Sequence, residues 1–202
     1  MEYITNWNYS ILDADGELEP LLTSDEVYEM TAAKYENDPR VDSMIKSATT
    51  AVREYCGWHV SGRHVCRWVG HSAETGRLIK LPAKFVTSIE SVKVGACVLT
   101  EDAYFFKTNG LLYLVTPPHD RGYMDIEVEY VAGFEGESAA GIKELIMHRV
   151  THALAQSFGV QSETAGGVTV SYNANWINNA RATALVDDNK DMLQPYRITE
   201  LY

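Results

Sequence analysis

The sequence predicts an α+β fold. A helical core of two N-terminal helices and one long helix carries an inserted small antiparallel β-subdomain and an extended C-terminal tail. Three observations predict it. Val41, Met44, Ile45, Ala48, Val52 and Tyr55 recur at helical spacing, and so do Ile142, Leu145, Ile146, Val150, Ala153 and Leu154. Between these two stripes, from His64 to Ala132, the apolar period falls to two, in short segments broken by glycine, proline and polar turns. Beyond Gly159 no period is sustained. The expected divisions are an acidic arm over 1–22, a helical pair over 23–60, the β-subdomain over 61–134, the long helix over 135–160 and the tail over 161–202.

Each element has a local reason. Thr23-Ser24-Asp25-Glu26 has the spacing of a capping box and predicts a short helix running to about Tyr35. Asp38-Pro39 starts the second helix, with Asp38 as N-cap and proline at the first helical position, and Gly57 ends it. Asn109-Gly110 predicts a hairpin, because both turn positions favour positive φ. In 125–130 Ile126, Val128 and Tyr130 alternate with Asp125, Glu127 and Glu129, giving a strand with one face inward. The long helix is expected over 139–158, stopping at Gly159. A glycine pair at 166–167 precedes a short strand, 175–186 is a helical candidate, and Asp187-Asp188 caps a last short helix before Pro195.

Composition narrows the function classes. The 202 residues carry 28 acids against 17 bases, a net charge of −11. Residues 1–38 hold ten acids and a single base, Lys34. A protein gripping DNA by its phosphates needs the opposite sign. No apolar run reaches the ~20 residues of a membrane span. The first residues lack the basic and apolar regions of a signal peptide. Cys56, Cys66 and Cys97 read as free thiols in a reducing cytoplasm.

Four constellations merit chemistry. Gly136 and Gly141 in GESAAGIK have the spacing of a phosphate-binding loop. However, Ile142 stands at the lysine position, Lys143 is one residue late, Glu144 replaces the magnesium hydroxyl and Glu137 adds negative charge. A glycine-rich turn before a helix is the plainer reading. His148 and His152 share a helix face suited to zinc, but Arg149 stands where a zincin has its general base. Cys56, His59, His64, Cys66 and His71 are soft or borderline ligands without knuckle spacing, and packed cysteines with ordinary histidines are the alternative. Asp13, Asp15, Glu17 and Glu19 hint at a calcium loop but put glycine at the wrong position, which favours a solvated arm. These residues predict no catalytic group, cofactor or metal.

The order of short motifs points further. Tyr55-Cys-Gly-Trp58 closes the helical pair. Leu81-Pro82 and Ser88-Ile-Glu-Ser-Val92 follow in the sheet, then Val128-Glu-Tyr130-Val-Ala-Gly133-Phe, the long helix, and Met192-Leu-Gln-Pro-Tyr196-Arg197. Over about residues 24–197 this resembles the head–tail connector (head-completion, or adaptor) proteins of long-tailed double-stranded DNA phages. The chain has Ala83-Lys84-Phe85-Val86 where that family often has a second proline.

The resemblance implies a structural virion protein and no enzyme. Such proteins form a homo-oligomeric ring, commonly of twelve subunits, beneath the portal protein. The ring extends the DNA channel and presents a platform for a stopper or tail-completion protein. Double-stranded DNA passes through without sequence-specific binding, no membrane is involved, and the protein occupies the host cytoplasm before assembly. By resemblance the portal- or neighbour-binding candidates are Trp176, Ile177, Leu193, Pro195, Tyr196, Arg197, Ile198, Leu201 and Tyr202. Packing of Trp176 and Leu193 on the subunit itself is the alternative. The rival functions are another neck component (a stopper or tail-completion protein), a small nucleotide- or zinc-dependent enzyme, and a cytoplasmic binding module.

Overall fold

The capping box forms as the sequence requires. In the computed structural model the Thr23 side chain accepts from the Glu26 amide and the Glu26 carboxylate accepts from the Thr23 amide, opening α1 (Ser24–Met30). The structure describes residues 3–5, 9–14, 18–71, 76–116, 124–155, 162–165, 168–171 and 189–198. Helix α1 stops at Met30, short of the expected Tyr35. Ala32 and Ala33 follow at φ of 50° and 58°, in the left-handed region that helix propensity alone does not foresee. Asp38 then accepts from the Arg40 amide at 3.0 Å, but α2 (Val41–Cys56) begins two residues beyond the Pro39 start that the sequence predicts, with Pro39 and Arg40 in a turn. Gly57, at φ of 80°, ends it in the conformation that favours glycine.

The described chain falls into two units. The first comprises Met1–Glu19, Cys56–Ser138 and Tyr196–Tyr202; the second comprises Pro20–Tyr55 and Ala139–Pro195. The second holds α1, most of α2, the long helix α3 (Ala140–Ala155) and the short helix α4 (Lys190–Leu193). It also holds the hairpin whose strands are Ser162–Ala165 and Val168–Ser171. Val41, Ile45, Ala48 and Val52 are buried on α2, and Ile142, Leu145, Ile146, Val150 and Leu154 on α3. Both stripes follow the helical period. Phe158, Gly159 and residues 175–186 lie outside the described residues.

The first unit is built on antiparallel strands. Its larger sheet has the order β1 (Tyr3–Thr5), β2 (Tyr9–Ile11), β3 (His64–His71), β9 (Asp125–Ala132), β5 (Val86–Val94), β6 (Cys97–Val98). A smaller sheet joins β4 (Leu78–Lys80), β8 (Leu111–Leu114) and β7 (Tyr104–Lys107). In β9, Ile126, Val128, Tyr130 and Ala132 are all fully buried, as the alternation requires. Residues 9–11, which the sequence placed in an acidic extended arm, are instead an inner strand. Tyr9 pairs with Trp68 and Ile11 with Cys66, and both Tyr9 and Ile11 are buried.

The hairpin at Asn109-Gly110 forms with a three-residue loop rather than a two-residue one. Lys107 pairs with Leu111, and only Gly110 has positive φ, at 85°. Gly110 is also required by space, because a Cβ there would lie 2.1 Å from the carbonyl oxygen of Ala83.

Three carboxylates are held below their ordinary range. Hydrogen bonds from Arg40 lower Asp38 to about 2. Hydrogen bonding from Arg67 and then Lys93 lowers Glu127 against the opposing effect of burial. Burial alone would raise Glu26, but Lys143 and Thr23 outweigh it. Depressed carboxylates contribute stability that is complete above the unfolded value and lost as pH falls through the folded one. The melting temperature should therefore fall between the ordinary values of 4.5 and 3.8 and about 2. A melting series over pH 7–2 checks this, and combining Glu127→Gln with Asp38→Asn should flatten the decline.

Candidate functional site

The C-terminal candidates divide once the backbone is traced. Leu193 is buried at 1% exposure, so it is not one of the exposed apolar residues expected of the tail. Pro195 is exposed, and Tyr196, Arg197 and Ile198 are half-buried. Trp176, Ile177, Leu201 and Tyr202 lie outside the described residues.

Residues 196–198 are tied down by backbone as well as side chain. Trp58 Nε1 donates to the Tyr196 carbonyl at 2.7 Å, and the Ile198 amide donates to the Cys56 carbonyl at 3.0 Å. The Tyr196 ring lies edge-on to Phe134, with centroids 5.0 Å apart. Phe134 in turn stacks on Phe85 at 4.8 Å and contacts Trp58 at 5.8 Å. Four short motifs far apart in sequence therefore meet at one aromatic junction.

The backbone around this junction is unusually constrained. The Phe134 amide donates to the Val60 carbonyl, and the Gly62 amide and Ser61 hydroxyl both donate to the Phe134 carbonyl. Val60 is buried at φ of 70°, a conformation a β-branched residue rarely adopts. Gly133 stands at φ of 134°, where a Cβ would come within 1.9 Å of the Gly62 carbonyl oxygen. The glycine of the Val-Ala-Gly-Phe motif thus serves a close backbone crossing.

Beside the junction lies a buried polar cluster. His59, 1% exposed, places Nε2 2.9 Å from the Ala132 carbonyl and 3.1 Å from that of Gly62. Carbonyls only accept, so Nε2 carries the proton. In the neutral ring Nδ1 then accepts from the Tyr9 hydroxyl at 2.5 Å. The Tyr9 oxygen also lies 3.3 Å from Cys66 Sγ. His59 is thus a buried crosslink between β2, β9 and the 59–62 turn.

The other ligand candidates are engaged separately. His64 pairs with Asp13, whose carboxylate also accepts from the Val65 amide. His71 pairs with Asp125. Among the described residues no three His, Cys, Asp or Glu side chains gather as a metal site.

Burial pushes the thiols of Cys56 and Cys66 up to about 12, with Arg197 partly opposing this at Cys56 and the Tyr9 hydrogen bond at Cys66. Cys97 is exposed. A thiol-specific reagent should label one of the three cysteines in the native protein and all three after denaturation, because the thiolate is the reactive form. Rapid labelling of a second native thiol would contradict this packing.

The phosphate-loop spacing resolves into architecture. Gly136 turns the chain at φ of 56° into a 3-10 turn over Gly136–Ala139, whereas Gly141 lies inside α3. The Ser138 hydroxyl accepts from the Glu135 amide, and Lys143 pairs with Glu26. His148 and His152 are exposed neighbours on α3, with ring centroids 6.4 Å apart.

Sequence reasoning singled out no surface on the small sheet. Its Tyr-Phe-Phe-Lys strand carries apolar residues at both parities, so alternation does not say which ones reach solvent.

A family model described as "Head completion protein" matches residues 20–198. No curated protein matches the chain. Among solved structures, a chain described as "Neck of native GTA particle computed with C12 symmetry" is similar at a TM-score of 0.47 and 11% identity. The likeness covers 93% of this chain and 98% of that one.

Proposed function

Since the chain belongs to the head completion protein family, we propose that it is the adaptor subunit of a phage head–tail connector. In this reading it forms a ring, of twelve subunits in the usual arrangement, beneath the portal of the filled head. The ring continues the DNA channel and offers the platform for a stopper or tail-completion protein. Its role is structural and its place is the virion neck.

The observation that carries the reading is the family match over 20–198, which takes in the second unit, most of the first and every motif that meets at the aromatic junction. Its chemistry agrees. The buried polar groups, His59 and Tyr9 above all, are used to fasten strands and turns to one another. A net charge of −11 suits the wall of a channel through which DNA must slide without being gripped. Pro195, Tyr196, Arg197 and Ile198, with Trp176, Ile177, Leu201 and Tyr202, form the proposed portal-facing segment. Pro195 is exposed and Tyr196, Arg197 and Ile198 are half-buried, which leaves part of this segment free to meet a partner.

Electron microscopy and native mass spectrometry of the purified chain, alone and with the portal protein, test this directly. Rings, or rings formed only on the portal, are expected. A strict monomer that ignores the portal sinks the proposal. Cross-linking in intact virions separates an adaptor, which touches the portal, from a stopper, which does not.

A further inference from the structure

The small sheet presents a face that its own unit leaves open. Leu78, Tyr113 and Phe105 stand directly opposite one another across β4, β8 and β7, so their side chains share one side of the sheet. The other side holds Ile79 and Leu112, both buried, and at its edge Phe106, 36% exposed. Phe105 is 55% exposed and stacks on Tyr113, with centroids 4.8 Å apart and planes within 5°. The next rank on the same side places Lys80 and Lys107 on either side of Leu111. Lys107 also reaches over the Tyr113 ring, at 5.8 Å. Both lysines are exposed, and among the described residues no carboxylate pairs with either. The face is therefore an apolar row edged by two positive charges that no acid among the described residues compensates.

The same chain carries a surface of opposite character. On α1, Asp25 and Glu29 are one turn apart on the exposed side, and Met30 beside them is 65% exposed. Among the described residues neither acid has a basic partner. One surface combines apolar atoms with unpaired cations, and the other combines apolar atoms with unpaired anions. That is the requirement of a heterologous contact, in which one patch of a subunit meets a different patch of the next.

We propose that the Leu78–Tyr113–Phe105 face of one copy, with Lys80 and Lys107, receives the Asp25–Glu29–Met30 surface of a second copy. This contact joins neighbours around the ring, and the inference rests on the ring reading given above. Rim charges of this kind set orientation and reject wrong pairings, while the apolar row supplies the buried area.

A charge exchange in the full-length chain tests it, alone and on the portal. Lys80→Glu with Lys107→Glu should abolish ring formation, because two acidic patches then face each other. Asp25→Lys with Glu29→Lys should abolish it for the converse reason. Mixing the two variants one to one should restore rings in which they alternate, since every contact then joins opposite charges. Far-UV circular dichroism and melting establish that each variant is folded. Phe105→Ser and the pair Glu29→Lys with Met30→Ser, which spares the first turn of α1, give second variants of each face.

If the wild type forms no ring, alone or on the portal, the ring reading falls and this inference falls with it. If the wild type forms rings and both charge variants do so equally well, the face assignment is overturned while the ring stands. The face then serves another partner. If each variant loses the ring but the mixture does not regain it, the two surfaces are not each other's partners.

Discussion

Replacing Gly133 with alanine is expected to cost on the order of 3 kcal/mol or more of folding stability, at the upper end for a single substitution. Two effects add. At φ of 134° an L side chain is strained, and the new Cβ would sit 1.9 Å from the Gly62 carbonyl oxygen and 2.9 Å from His59 Nε2. The obstacle is backbone at one contact and the buried histidine at the other, so neither can step aside cheaply. Relief would require parting β9 from the 59–62 turn, which breaks the hydrogen bonds of Phe134 and Gly62. Urea unfolding measures the loss. Gly136→Ala is the matched control, because Gly136 also has positive φ but has open space around its Cβ position. It should cost only ~1 kcal/mol from the left-handed conformation. Equal effects at the two positions would refute the close-crossing account.

Trp58→Ala is expected to cost ~3–5 kcal/mol, the range for removing a buried aromatic residue. Trp58 is 2% exposed and touches both His59 and Phe134. The informative variant is Trp58→Phe, which keeps most of the packing but loses the N–H that holds the Tyr196 carbonyl. It should cost ~1–2 kcal/mol. Its local signature is faster hydrogen exchange at the Ile198 amide, whose bond to the Cys56 carbonyl depends on the same anchorage. Proteolysis after Arg197 should rise in parallel. A Trp58→Phe protein with unchanged protection at Ile198 would mean that residues 196–198 are held by something other than this indole.

Several elements could be read from the sequence because their causes are local. The Thr23–Glu26 box, Gly57 and the alternation of β9 each depend on residues a few positions apart. Strand β2 was missed because Tyr9-Ser-Ile11 is too short to show a period and sits among acids. Its partner, β3, is more than fifty residues away. The early end of α1 was missed because Ala32 and Ala33 are good helix formers that take left-handed conformations here. Trp58, Phe85, Phe134 and Tyr196 were each visible in or beside a separate short motif. Their meeting at one junction was not, because nothing in the spacing of four distant segments encodes a shared contact. The open face of β4, β8 and β7 was invisible for a related reason: only the register of three strands shows that Leu78, Tyr113 and Phe105 form a row.

Strand β5 has a consequence for how this chain tolerates changes in length. Val86 and Ser88 face successive residues of β9, Ala132 and Val131, and Ile89 and Ser91 face Tyr130 and Glu129. Thr87 and Glu90 thus bulge from the ladder, and both are exposed. Deleting either one would straighten the ladder and leave the inward faces of Val86, Val92 and Val94 in place. In β9, which runs against β3 without such a break, losing one residue would turn every following side chain to the wrong side of the sheet. Insertions and deletions should therefore accumulate in β5 across related chains and be purged from β9. The bulged strand absorbs changes in length, and its straight neighbour keeps the count.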